Sequence, residues 1–286
     1  MGYWRGQGGQ RVTESPIDRP DPPATVPPNQ DYWRDYLEKG ETYLRFGRHV
    51  FRALPGHPRC KLCTIPFEGV GGRAVRLFGW RPSDSNPNVC NNCQRALIKH
   101  HGGAEVNGTM LFADVRGSTT LAEGMTPVEF RELMERFYRV ATRAVIDEDG
   151  AIDKFVGDEL VAMFYTSLAG ERHPARAIKA AQAILRATGH GAPGGPWLPV
   201  GAGVHTGLVW FGAVGEGVHV ELTSLGDVVN TTARLAGRAG PGEILVSTDA
   251  AAVAQLPPDL EARSLDLKGK EQAFDVVVAS LETPVA

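Results

Sequence analysis

The pattern of apolar and polar positions changes period at a few places, and each change marks an element. Residues 1–30 hold Gly2, Gly6, Gly8 and Gly9, then Pro16, Pro20, Pro22, Pro23, Pro27 and Pro28. That is too little apolar surface to offset the entropy of ordering, so a disordered leader is expected. From Asp31 onward Tyr32, Trp33, Tyr36, Leu37, Tyr43, Leu44, Phe46, Phe51 and Leu54 recur at near-helical spacing. This predicts one or two short helices with an aromatic face and Asp31 as N-cap. Thr109-Met110-Leu111-Phe112-Ala113 is a short apolar run that ends on Asp114 and reads as a strand. Thr126-Pro127-Val128-Glu129 has the form of a capping box with Pro at the first helical position. Phe130, Leu133, Phe137, Val140, Ala141, Ala144 and Val145 then repeat on one helix face, until Glu148-Asp149-Gly150 ends it.

Residues 151–164 read as two strands folded about Gly157-Asp158, and residues 174–188 as a second helix through Ala177, Ile178, Ala181, Ile184 and Leu185. A Gly/Pro loop over 189–199 leads to strands at 200–204 and 208–214, joined at His205-Thr206-Gly207. A strand at 221–225, a helix at 228–236 with Asp227 as N-cap, and late strands at 243–247 and 273–279 complete the chain. The order β-α-β-β-α-β with additions predicts an α+β fold, a ferredoxin-like split βαβ sheet with helices on one face.

Composition narrows the class. Of the 286 residues 42% are hydrophobic and 22% charged, enough to bury a real core in one large and one smaller domain. A formal net charge of −3 gives no basic footprint for nucleic acid. No apolar run approaches the roughly 20 residues that span a bilayer, and the N-terminus lacks a signal-peptide core. A soluble, cytoplasmic protein is expected. In that reducing setting, four cysteines in two close pairs suggest metal before disulfide.

Those pairs are Cys60-Lys61-Leu62-Cys63 and Cys90-Asn91-Asn92-Cys93. Each C-x-x-C lets two thiolates close on one ion from a tight turn, and two turns complete a tetrahedral Cys₄ site. The second pair follows Asn86-Pro87-Asn88 and opens a helix over 94–100. A knuckle, an intervening hairpin and a knuckle opening a helix resemble a treble-clef finger. Gly69, Gly71, Gly72 and Gly79 suit tight loops, and Phe67, Leu77, Phe78 and Trp80 a small core. Structural zinc leads, an iron–sulfur cluster follows, and free or paired thiols come after. His100-His101-Gly102-Gly103-Ala104 reads as a linker with solvated histidines. The expected organisation is a leader over 1–30, a helical and Cys₄ regulatory module over 31–104, and a catalytic domain over 105–286.

Each polar residue of the catalytic segment has a bland reading. Gly157-Asp158 is what a two-residue hairpin wants, Asp114 can cap the next helix, Lys154 can alternate outward into solvent, and Asn230 with Arg234 can be a surface i,i+4 pair. Their order and spacing say more. Phe112-Ala113-Asp114, Lys154-Phe155-Val156-Gly157-Asp158, and the run from Thr223-Ser224-Leu225-Gly226-Asp227 to Asn230 and Arg234 resemble the class III adenylyl/guanylyl cyclase catalytic domain over about 106–286.

The resemblance implies cyclisation of a nucleoside triphosphate, with the ribose 3′-hydroxyl attacking the α-phosphate and pyrophosphate leaving. It gives Asp114 and Asp158, with Val115, to two Mg²⁺ or Mn²⁺ ions. Such ions lower the pKa of the hydroxyl and screen the triphosphate, and carboxylates suit such hard cations. Main-chain N–H groups from Val115 through Gly117, Ser118 and Thr119 would cradle phosphates. Lys154 and Thr223 match the base-selecting pair, Asn230 the ribose-orienting residue, Arg234 the stabiliser of charge on the α-phosphate, and Lys268 a lysine for the terminal phosphates.

Guanylyl cyclases of this family usually carry Glu at Lys154 and Cys at Thr223, so Lys154 favours ATP: an ammonium donates to adenine N1, whereas guanine presents N1–H there. Thr223 in place of Asp resembles the subgroup with bicarbonate-responsive soluble cyclases, which makes bicarbonate stimulation a hypothesis. In the family one subunit supplies the aspartates and its partner the lysine, threonine, asparagine and arginine; all stand in this chain, which implies a homodimer with two shared sites. A two-metal phosphodiesterase or polymerase palm also pairs aspartates on such a sheet, but does not require Lys154 or the Asn230-x-x-x-Arg234 helix. The non-enzymatic alternative is a nucleotide-binding sensor with a redox-active Fe–S or zinc module.

Overall fold

The structure is a computed structural model that describes residues 29–39, 42–84, 89–216, 219–267, 269–270 and 272–286. The leader up to Pro28, Asn86-Pro87-Asn88 and Lys268 lie outside the described residues. Four helices come first: α1 (Gln30–Glu38), α2 (Thr42–Ala53), α3 (Gly69–Arg76) and α4 (Asn91–Lys99). Then follow β1 (Gly102–Val115), α5 (Ser118–Glu123), α6 (Pro127–Asp147), β2 (Ala151–Val156), β3 (Glu159–Tyr165), α7 (Thr166–Ala169) and α8 (His173–Ala187). The last third holds β4 (Val200–Glu216), β5 (His219–Leu225), α9 (Asp227–Arg238), β6 (Ile244–Ser247), α10 (Thr248–Ala254), β7 (Ala262–Leu265) and β8 (Phe274–Ala279).

Among the described residues the strands form one sheet in the order β2-β3-β1-β4-β6-β8-β7, with β5 on the second half of β4. The β2-β3-β1-β4 part is antiparallel throughout and carries α6 and α8 as its crossings, which is the expected ferredoxin-like arrangement. β6 is parallel to β4 and begins the additions. The capping box at Thr126 and Glu129 is formed, with Pro127 opening α6.

Several expectations are corrected. β4 is one strand, not two: His205, Thr206 and Gly207 stay in the ladder opposite Met110, Thr109 and Gly108. The Thr206 hydroxyl is tolerated there because it is satisfied, Thr109 Oγ1 meeting both Thr206 Oγ1 and His173 Nδ1 at 2.7 Å, whereas His205 Nδ1 is buried without a hydrogen-bond partner. β1 begins at Gly102, inside the segment read as linker, because β4 is long enough to pair with it there. His100 stacks on Tyr32 and His101 Nε2 lies 2.6 Å from the Gly215 carbonyl, so neither is merely solvated. Gly226, not Asp227, is the N-cap of α9, and Asn29, not Asp31, that of α1. β7 and α10 are additions that the apolar pattern does not mark.

Helices also cover both faces of the sheet rather than one. Leu111, Ala113 and Val115 of β1 pack with α6, α8 and α10, while Met110 and Phe112 point the other way into a core with Trp33, Leu37, Val228 and Ala236. Two apolar sheet faces need two covers, and α9 together with α1 forms the second. α9 comes close to β4 at Gly203, where a Cβ would meet Ala236 N at 2.5 Å.

The expected hairpin between the cysteine pairs is helix α3. Gly71 and Gly72 are there for close approach, since a Cβ would fall 2.4 Å from the Pro55 carbonyl oxygen or 2.5 Å from Phe67 C. Of the expected small core, Phe67 is buried and Trp80 packs beside it, but Leu77 and Phe78 are 87% and 79% exposed.

Candidate active site and cysteine cluster

Asp114 stands at the carboxyl end of β1, opposite Glu159 in the β1–β3 register, and Asp158 in the adjoining β2–β3 turn. Gly157 has φ 59° at the first central position of that turn, the place a type II′ hairpin gives to glycine. The turn is held from two sides. Val115 N–H donates to the Asp158 carbonyl at 3.3 Å, and the Tyr138 hydroxyl donates to the Gly157 carbonyl with its ring 4.3 Å from that of Phe155.

Burial pushes the Asp114 carboxyl up; the Arg116 guanidinium, ion-paired to it, pulls it back, and the Asp158 carboxyl adds to the rise, leaving a net increase. Glu159 is raised to about 7, by burial first and then by Asp114 and Asp158. Three carboxylates thus crowd one strand end with Arg116 as the ion-paired cation. Arg116 also donates to the carbonyls of Gly237 and Ala239, while its Nε is buried without a partner. A donor set of oxygens that repel one another fits a hard divalent cation. Glu159, Arg116 and Tyr138 went unnoticed in the sequence; a third acid next to Asp158 was the available signal.

The phosphate-cradle expectation narrows. Val115 N–H is taken by Asp158 and Arg116 N–H by Pro199, leaving Gly117 at φ 71°, Ser118 and Thr119 at the start of α5. Lys154 and Thr223, 69 residues apart, meet: Lys154 Nζ donates to Thr223 Oγ1 at 2.7 Å, with Thr223 buried in β5. α9 lays Val228, Thr231, Thr232, Leu235 and Ala236 inward, so Asn230 is exposed and Arg234 half-buried. A Cβ on Gly269 would come 3.5 Å from Arg234 Nη2, which places Gly269 beside that guanidinium.

The four cysteine sulfurs lie within 4.8 Å of one another, and all four cysteines are free. Cys63 and Cys90 Sγ are 3.7 Å apart, close to the ~3.8 Å that Zn–S bonds of about 2.3 Å give in a tetrahedron. Cys90 and Cys93 backbone N–H groups donate to the sulfurs of Cys60 and Cys90. Hydrogen bonds from the Cys60, Cys63 and Cys93 thiols hold Cys90 well below the usual thiol range. Cys60, Cys63, Cys90 and Cys93 together fit a metal ion.

The chain is thus a mixed sheet with crowded carboxylates at the end of β1 and a lysine–threonine pair joining β2 to β5. The sequence over residues 104–278 matches the family described as "Adenylate and Guanylate cyclase catalytic domain", and the chain belongs to that family. It is 31% identical to Adenylate cyclase 1 of Rhizobium meliloti over 59% of this chain and 26% of the relative. To the adenylate cyclase of Anabaena cylindrica it is 30% identical over 59% of this chain and 36% of the relative. The chain thus spans about a quarter to a third of these curated relatives. The crystal structure of the guanylyl cyclase Cya2 superposes with TM-score 0.55 at 25% identity, covering 65% of this chain and all of that one. The adenylyl cyclase CyaB from P. aeruginosa gives TM-score 0.54 at 24% identity, over 62% of this chain and 96% of that one. Among the described residues no helix is long and apolar enough to cross a membrane.

Proposed function

We propose that this chain is an adenylate cyclase that converts ATP to 3′,5′-cyclic AMP and pyrophosphate. The observation that carries the reading is the 2.7 Å contact between Lys154 and Thr223, a cation and a hydroxyl held together in a family whose members act on ATP or GTP. Lys154 donates to adenine N1 and Thr223 Oγ1 accepts from the exocyclic amine, a pattern guanine does not complement. Asp114 and Asp158 would hold two Mg²⁺ or Mn²⁺ ions, whose charge would acidify the 3′-hydroxyl and neutralise the triphosphate. The O3′–Pα bond forms as the bond from Pα to the bridging oxygen breaks; the hydroxyl proton passes to solvent water and pyrophosphate leaves.

Gly117, Ser118 and Thr119 bind phosphate oxygens, Asn230 orients the ribose, and Arg234 stabilises the developing charge. The exposure of Asn230 and partial exposure of Arg234, on the side of α9 away from its own sheet, support a homodimer in which each site takes its aspartates from one chain and these two residues from the other. The Cys₄ cluster holds zinc as a structural ion.

The test is turnover of ATP and GTP by the purified chain with Mn²⁺ or Mg²⁺. Cyclic AMP should be the main product, and Lys154→Glu with Thr223→Cys should lower the ATP:GTP ratio of kcat/KM by about 100-fold or more, as expected when a buried donor–acceptor pattern is inverted. Preferential cyclisation of GTP by the unaltered chain would overturn the reading.

A further inference from the structure

Register along β2 slips between Ile152 and Lys154, which pair with the adjacent residues Ala162 and Val161, so Asp153 is the extra residue of a β-bulge on an edge strand. A bulge leaves its extra residue out of the ladder, and its polar groups must find partners elsewhere. The carbonyl of Asp153 finds Lys61, whose Nζ donates to it at 2.7 Å from 92 residues away. Lys61 sits between Cys60 and Cys63 on the first cysteine turn.

The Asp153 side chain is only 1% exposed. Its Oδ2 accepts the backbone N–H of Ser224 at 3.3 Å, and its Oδ1, without a hydrogen-bond partner, lies 3.9 Å from Lys154 Nζ. Asp153 therefore touches the neighbours of both base-reading residues: it precedes Lys154 in β2 and holds the residue after Thr223 in β5. Leu62, next on the same cysteine turn, packs into the cysteine core and into the second sheet core at once.

We propose that Lys61 is a positioning residue for base recognition, fixing the Asp153 bulge so that Lys154 and Thr223 stay in register and thereby tying the cysteine cluster to nucleotide choice. The inference rests on Lys154 and Thr223 being the base-reading pair. Lys61 touches no substrate atom. It supplies the hydrogen bond that the bulged carbonyl lacks, from a turn whose geometry the cysteine ligands set. The distance from the cluster to the base-reading pair is one side chain and one bulge.

The experiment uses the whole 286-residue chain loaded with zinc and compares Lys61→Met, which keeps the stem but removes the donor, with Lys61→Arg, which keeps a donor. Two readouts are taken: amide hydrogen exchange of Lys154 and Ser224, and KM and kcat for ATP and GTP. Lys61→Met should speed exchange at both amides by about 10-fold, as loss of a hydrogen bond from a charged donor implies. It should raise KM for ATP about 10-fold with kcat within about 3-fold, and narrow the ATP preference; Lys61→Arg should restore most of both. Exchange at the cysteine-turn amides of Thr64 and Cys90 should not change. Unaltered exchange at Ser224 and Lys154 in Lys61→Met overturns the proposal, as does equal acceleration at Thr64 and Cys90, which would mean a general loosening of the cysteine turns. If the unaltered chain makes no cyclic nucleotide, the cyclase reading fails, and the exchange comparison still decides whether Lys61 holds the bulge.

Discussion

The carboxylate end of the sheet and the cysteine cluster each gather metal-ligating groups, and the chain builds them by opposite means. Asp114 ends a strand paired along its whole length with β4 and over residues 108–114 with β3. The backbone ladders set its position, so the three acids are forced together against their own repulsion. Cys60 and Cys63 instead flank a short turn and Cys90 and Cys93 open α4, over a core of six buried residues, two of them the cysteines Cys60 and Cys90. There the ligands are a third of what there is to pack. An ion at the first place relieves strain the fold has already accepted and is free to serve chemistry; an ion at the second is a condition for local folding.

The largest effect that would sharpen this contrast is removal of a cysteine ligand. Cys90→Ser should release close to one zinc per chain and make the segment from α2 to α4 protease-sensitive, because ligand bonds there are folding energy. Iron and sulfide in the purified protein would replace zinc in the account without changing that outcome. A Cys90→Ser chain with unchanged metal content and protease resistance would break the comparison.

A smaller effect of opposite sign is expected at the carboxylates. Glu159 has a folded pKa of about 7 against an ordinary 4.5, so the folded state holds its proton more tightly than the unfolded one. Its stabilising share is present below about pH 4.5 and is lost as pH rises toward 7. In metal-free solution at the carboxylate site, Glu159→Gln should raise Tm by a few degrees at pH 8 and leave it unchanged at pH 4.5. Thermal melts across that range, with and without Mg²⁺, decide it: added Mg²⁺ should stabilise the unaltered chain at pH 8 more than at pH 5. A Tm gain equal at both pH values would mean that the three acids do not share a strained site.

Much of this was legible in the chain. The capping box of α6, the apolar run of β1 and the glycine turn at Gly157 carry local instructions, and the order of the carboxylates, Lys154, Thr223, Asn230 and Arg234 carries the resemblance to the family. What escaped depends on contacts across the fold. Gly71 and Gly72 read as loop residues because nothing local says that Pro55 and Phe67 will lie against them. His205-Thr206-Gly207 reads as a break until Thr109 and His173 supply partners. β7 has four residues and exists by pairing with β8. Lys61 reads as a filler between two cysteines until the bulge at Asp153 is seen, and Glu159 as an ordinary strand acid until Asp114 is placed opposite.

Mixing two damaged proteins tests the central claim, a cyclase whose sites are shared between two copies of this chain. Asp114→Ala and Arg234→Ala should each be inactive alone, since each spoils both sites of its own homodimer. Mixed in equal amounts and allowed to exchange subunits, half the dimers are heterodimers with one intact site of two, so cyclic AMP formation should recover to about one quarter of the rate of the unaltered chain. No recovery on mixing, with the unaltered chain active and subunit exchange demonstrated, would contradict the account.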